Sequence, residues 1–177
     1  AARRPSAPAP PPLAFYPHTY APATCPTCNT VETSRVYQTI PTATRVYTCG
    51  GYWKVNGTTQ SYNVSAFNPT TGKLDTGFTG QDDGDTPGCL LRAGVLYVGV
   101  HFNVAGPGCQ PSAPSKCVTR HHVAAFNATD GSLLSCNPTA NSNHGLLAIP
   151  GDPGYVVLRG YLTNFRCTAA YGSAQRA

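Results

Sequence analysis

The sequence predicts an all-β fold built from repeated antiparallel sheets, and three observations carry that expectation. Charged residues make up only 11% of the chain, under half the usual share of about 25%, so little material exists for the charged outer faces of amphipathic helices. Glycine, proline and tyrosine number 18, 17 and 10, and they serve turns and pleated strands better than helix interiors. Apolar residues also alternate over short stretches between turn signals, with no 3.6-residue periodicity long enough for a helix.

The elements follow in order. "AARRPSAPAPPPLAFYPHTYAPATCPTC" opens the chain with eight of its seventeen prolines, which fix φ and remove backbone donors, so regular helix or sheet is excluded over most of it. The sequence therefore divides into a proline-rich extended arm or linker, residues 1–30, of polyproline type, and a β-repeat domain, residues 31–177. Phe15, Tyr16 and Tyr20 favour an arm that docks over a solvated tail, which seldom carries so many aromatics. Strands are expected over 34–40, 44–53, 61–67, 89–102, 120–126 and within 145–162, all alternating or β-branched and aromatic. Asn56-Gly57, Thr71-Gly72 and Asp130-Gly131 stand where hairpin turns belong.

The chain also repeats itself. VSAFNPTTGKL, ending at Leu74, returns as VAAFNATDGSL, ending at Leu133. Phe67 and Tyr97 are 30 residues apart, as are Phe126 and Val156. That register aligns Tyr47 with Tyr97 and Val156, Tyr52 with Phe102 and Tyr161, and Phe67 with Phe126. The result is two nearly whole units and part of a third, the second enlarged by the insertion PGCQPSAPSKC between Gly106 and Val123. Such a period, with about four strands per unit, is the signature of propeller blades or stacked β repeats, here antiparallel four-stranded sheets.

The residues that carry the period are Val46, Tyr47, Gly50, Tyr52, Val55, Gly57, Val64, Ala66, Phe67, Asn68, Thr71, Gly72 and Leu74. In the second unit they are Leu96, Tyr97, Phe102, Val104, Gly106, Val123, Ala125, Phe126, Asn127, Asp130, Gly131 and Leu133. Over residues 44–165 this pattern resembles the delta-60-type β-propeller repeats of secreted and cell-surface proteins. The resemblance implies a propeller-type fold and no particular chemistry, because propellers host binding, scaffolding and catalysis alike. Gly51, His101 and Gly160 stand where that family usually has Asp before the aromatic. The stretches PSAPAPPP and PSAPS resemble the Ala/Ser-Pro modules of hydroxyproline-rich wall glycoproteins.

Eight cysteines, Cys25, Cys28, Cys49, Cys89, Cys109, Cys117, Cys136 and Cys167, are many for a reducing compartment, and the expectation is secretion to the extracellular space or cell surface. Four disulfides have 105 pairings that sequence does not choose among; Cys109 and Cys117 flank the insertion and are expected to bond to each other. The chain lacks Met altogether, which points to processing or to a segment of something longer. No run of about 18 apolar residues provides a membrane span. The net charge of +5 is scattered without aromatic-basic interleaving, which argues against nucleic acid. Asn56, Asn63 and Asn127 each begin an N-glycosylation sequon, which needs an accessible loop or strand edge, so covalent glycans are expected.

Other candidate chemistry is thin. Cys25 and Cys28 have the spacing of half a zinc site or a redox pair, without a second pair or a βα unit, so disulfide bonding is the expectation. QDDGDTPG gathers Asp82, Asp83 and Asp85 without EF-hand spacing, as a solvated turn would. His121 and His122 are consecutive in an expected strand and so point to opposite faces. No G-x-S-x-G elbow and no paired carboxylates appear. An enzyme is not expected, nor a metal or cofactor. The reading that results is a structural or assembly module of an extracellular coat, filament or appendage, its partners being other copies or the rest of a longer chain. The alternative is a glycan- or protein-binding module, which an aromatic cluster around Trp53 would favour; a secreted hydrolase comes third.

Overall fold

A computed structural model of the protein describes residues 19–20, 35–55, 59–135, 137, 147–150 and 156–159. Cys25, Cys28, Asn56, Cys136, Tyr161, Cys167 and all but two residues of the proline-rich arm lie outside these. The described residues are all-β and antiparallel, the one helical turn being the 3-10 segment Pro114–Lys116.

The first unit contains β1 (Thr19–Tyr20), β2 (Arg35–Pro41), β3 (Val46–Gly51), β4 (Lys54–Val55), β5 (Thr59–Gln60) and β6 (Val64–Phe67). The second contains β7 (Gly80–Asp82), β8 (Asp85–Arg92), β9 (Val95–His101), β10 (Val104–Pro107), β11 (Val118–Thr119) and β12 (Val123–Asn127), and a hairpin follows, β13 (Leu147–Pro150) with β14 (Val156–Arg159). Each unit has two three-stranded sheets, ordered β2-β3-β6 and β1-β4-β5 in the first and β8-β9-β12 and β7-β10-β11 in the second. The two sheets of a unit are halves of one meander, because β9 and β10 are interrupted only by Phe102 and Asn103, and β11 and β12 only by residues 120–122. The bend is made at the same place twice: Asn63 and His122 hold φ of 60° and 64° and donate their N–H to the carbonyls of Tyr52 and Phe102.

Pairing confirms the register between the first two units. Tyr47 faces Ala66 as Tyr97 faces Ala125, and Val46 faces Phe67 as Leu96 faces Phe126. Both outer pairs carry a bulge, between Val36 and Gln38 and between Asp85 and Gly88. After β6 and β12 the chain turns through Gly72 (φ 66°) and Gly131 (φ 76°), a backbone state that glycine adopts without a Cβ penalty. In both turns the Asn carbonyl, of Asn68 or Asn127, accepts the Gly N–H at 2.8 Å.

Four expectations change. The sheets have three strands rather than four, because the fourth shrinks to single bridges, Phe67 with Leu74 and Phe126 with Leu133. The stretch 89–102 is a hairpin, not one strand: Ala93 and Gly94, at φ 46° and 76°, make the double positive-φ turn that suits the twist of two strands. Residues 120–122 form a corner, so His121 and His122 lie outside β12. Thr19 and Tyr20, placed in the arm, pair with Val55 and Lys54 and so fill the position that β7 holds in the second unit. No closed ring is formed among the described residues.

Successive sheets stack face to face, β2 and β3 against β8, and β13 against β8 and β9. Every residue of β6 is buried, and so is β12 as far as Phe126, so both sheet faces are covered. The largest apolar cluster joins the back of the first unit (Tyr47, Cys49, Val64, Ala66, Phe78) to the front of the second (Leu96, Val98, Phe102, Ala124, Phe126). Phe126 is fully buried there. Truncating it to Ala is expected to cost about 3–5 kcal/mol, measured as a lower urea midpoint at unchanged slope.

Candidate functional site: the joint between units

A set of hydrogen-bonded polar and charged side chains gathers where the first unit meets the second. Arg45, in the loop before β3, donates from Nε to Asp75 Oδ2 at 2.7 Å and from Nη1 to the carbonyls of Ala128, at 2.8 Å, and Thr129. The Tyr47 hydroxyl donates to the same Ala128 carbonyl at 2.7 Å, and its ring packs edge-on to Phe78. The linker completes the clamp, with the Thr79 N–H and hydroxyl both bonded to the Asp130 carbonyl at 3.0 Å. A Cβ on Gly131 would lie 2.1 Å from the Gly80 nitrogen, so only glycine lets the turn and linker approach this closely. The turn that repeats in sequence thus serves, in its second occurrence, as the seat of the preceding unit.

Two further ties cross the joint. Cys49 of β3 is bonded to Cys89 of β8, both fully buried, while Gln38 of β2 accepts the Cys89 N–H at 2.9 Å. Closer to the bend lies Asp82, fully buried. Its Oδ1 accepts Asn63 Nδ2 at 2.9 Å and the Gly84 N–H at 3.2 Å, and its Oδ2 accepts the Thr86 hydroxyl at 2.6 Å. Asn63 belongs to the first unit, donates also to the Asp82 carbonyl, and accepts the Tyr52 N–H through Oδ1. Burial pushes the Asp82 carboxyl up to about 8, against the pull of Thr86, Asn63 and Gly84, and Asp83 adds to the rise.

Several sequence-derived candidates are relocated. Asn63 is not an accessible glycan acceptor: it is 1% exposed and its Nδ2 is committed to Asp82, so a glycan there has no room in this fold. The acidic run is not a solvated turn, since Asp82 is interior and Asp83 Oδ1 accepts the Asn103 and Val104 N–H groups. Among the described residues no cluster has the makings of a metal site. His121 is exposed and His122 buried, so the two are not brought together. Cys109 and Cys117 are bonded as expected and close the inserted loop. Trp53 is half-buried, its ring 5.4 Å from that of Tyr62. Arg45 and Asp75 were not singled out in the sequence; the signal available was the repeat register, which sets this charged pair against the apolar Val95 and Leu134.

The two disulfides seen are those of a protein that matures outside the reducing cytosol, and no helix among the described residues is long and apolar enough to cross a membrane. No family model, curated protein or solved structure matches the chain.

Because the Ala128 carbonyl has two donors, losing one is tolerable and losing both strands an acceptor. Tyr47→Phe and Arg45→Ala are each expected to cost about 1 kcal/mol, and the double variant to exceed their sum by about 1 kcal/mol. Denaturant unfolding of the four chains measures that excess.

Proposed function

We propose that this chain is a secreted structural or assembly module, of propeller type, in an extracellular coat, filament or appendage, with other copies or further chain of the same kind as its partner. The observation that carries the reading is the joint itself. Its two sides differ, the back of one unit meeting the front of the next, and a contact between unlike surfaces propagates as a filament when it does not close into a ring. What the described residues concentrate is joining chemistry: a cross-unit disulfide, an arginine clamp on main-chain carbonyls and a buried polar tie. Light scattering at micromolar concentration tests the reading. Association into species larger than the single chain is expected; a compact, cooperatively unfolding monomer overturns it.

Glycosylation belongs to the same proposal, since glycans would hydrate a surface with few charges. Of the two described sequons, Asn127 is half-buried at the start of its turn, its Oδ1 taken by the Thr129 N–H, with no hydrogen bond from Nδ2 to a described residue. In chain secreted from a eukaryotic host, enzymatic deglycosylation followed by peptide mapping should show conversion to Asp at Asn127 and unmodified Asn at Asn63. A glycan on Asn63 would contradict its placement.

A further inference from the structure

Among the described residues, the tie at Asp82 has no cation acting on its carboxyl. The titratable groups that act with it are Asp83 on its own turn and Tyr52 of the first unit, whose own hydroxyl is pushed up by burial and by Asp82. Neither supplies positive charge. A carboxylate taken out of water without a counter-charge is strongly disfavoured, so the acid form must account for its extra proton. It does. Thr86 Oγ1, 2.6 Å from Oδ2, also stands 3.5 Å from the Gly84 carbonyl. With Asp82 protonated, Oδ2–H donates to Thr86 Oγ1 and the threonine proton turns toward Gly84. With Asp82 ionised, the threonine turns back to the carboxylate, and among the described residues the charge rests on Asn63, Gly84 and Thr86. Oδ1 accepts from Asn63 and Gly84 in both states, so the geometry of the tie is preserved while its strength changes.

We propose that Asp82 is a proton-operated latch on the joint, closed while its carboxyl carries a proton and loosened when that proton is lost. Once the joint opens, Asp82 meets water and titrates near its ordinary value of 3.8, against about 8 when closed. The closed state therefore binds the proton more tightly. Its advantage is complete below about pH 4, declines as pH rises, and is gone above about 8. Across that window the opening equilibrium rises about tenfold per pH unit, the linkage slope for one proton. Acidic surroundings tighten the tie at Asp82 and alkaline ones loosen it, while the Cys49–Cys89 disulfide keeps the units joined at either pH.

The first test is a carboxyl carbon NMR titration of the wild-type protein, the Asp82 signal being assigned by its loss in Asp82→Asn. A midpoint near 8 is expected; one near 4 overturns the latch. The second follows hydrogen exchange of the Asn63 side-chain amide and the Gly84 backbone amide, corrected for intrinsic rates, from pH 4 to 8. Wild-type opening should rise about tenfold per pH unit, while Asp82→Asn, whose amide donates to Thr86 as the acid does, should show a flat profile. An unchanged slope in Asp82→Asn overturns the proposal, and if that variant does not fold, the Asp carboxyl signals of the wild type decide: one titrating near 8 upholds it, none doing so sinks it.

Discussion

A three-stranded sheet that is apolar on both faces cannot stand alone, and the rest of this structure follows from that. β6 and β12 bury side chains pointing either way along their length, so each sheet must be covered in front and behind. Stacking like units answers the requirement, each burying the face its neighbour leaves open. Among the described residues the layers are visible as three apolar clusters: Tyr52, Val55 and Phe67 before the first unit, the large cluster between the units, and Val95 with Ala125 behind the second. Polar devices then act at the rims of these layers, where the main chain of one unit would otherwise leave carbonyls without donors.

The repeat was legible because the stacking fixes residues on both faces. Tyr47 and Tyr97, Phe67 and Phe126, and the glycines of the two turns each meet a constraint that recurs with the unit, so their spacing survives in the sequence. The joint was largely illegible because it is made between residues far apart in the chain that have no counterpart elsewhere. Asp82 stands in a run of Asp and Gly that has the composition of a solvated turn; its burial comes from Asn63, 19 residues earlier, which in turn carries a sequon that suggests exposure. β1 was hidden by its proline-rich surroundings, since a two-residue strand that only pairs with Lys54 and Val55 needs no alternating pattern. The turn at Ala93 and Gly94 was missed because Ala rarely accepts positive φ, and apolar residues on both sides merged two strands into one.

The two units share a backbone but not a surface chemistry, and the difference has a direction. The front of the second unit presents Val98, Phe102 and Ala124 to its neighbour; the matching positions in the first unit are Thr48, Tyr52 and Ser65. There the Tyr52 hydroxyl lies 2.7 Å from that of Thr48 and 2.8 Å from that of Ser65, which in turn meets Ser61 at 2.7 Å. These hydroxyls satisfy one another within the unit. At the back the contrast runs the other way: Arg45 and Asp75 of the first unit are replaced in the second by Val95 and Leu134, which pack with Tyr97 and Ala125. A charged clamp suits a joint whose partner offers main-chain carbonyls at its rim, whereas an apolar patch suits one closed by side-chain packing. The units are therefore not interchangeable. Exchanging them would put Thr48, Tyr52 and Ser65 where Val98, Phe102 and Ala124 now meet the first unit, and the joint would lose the packing of Phe102.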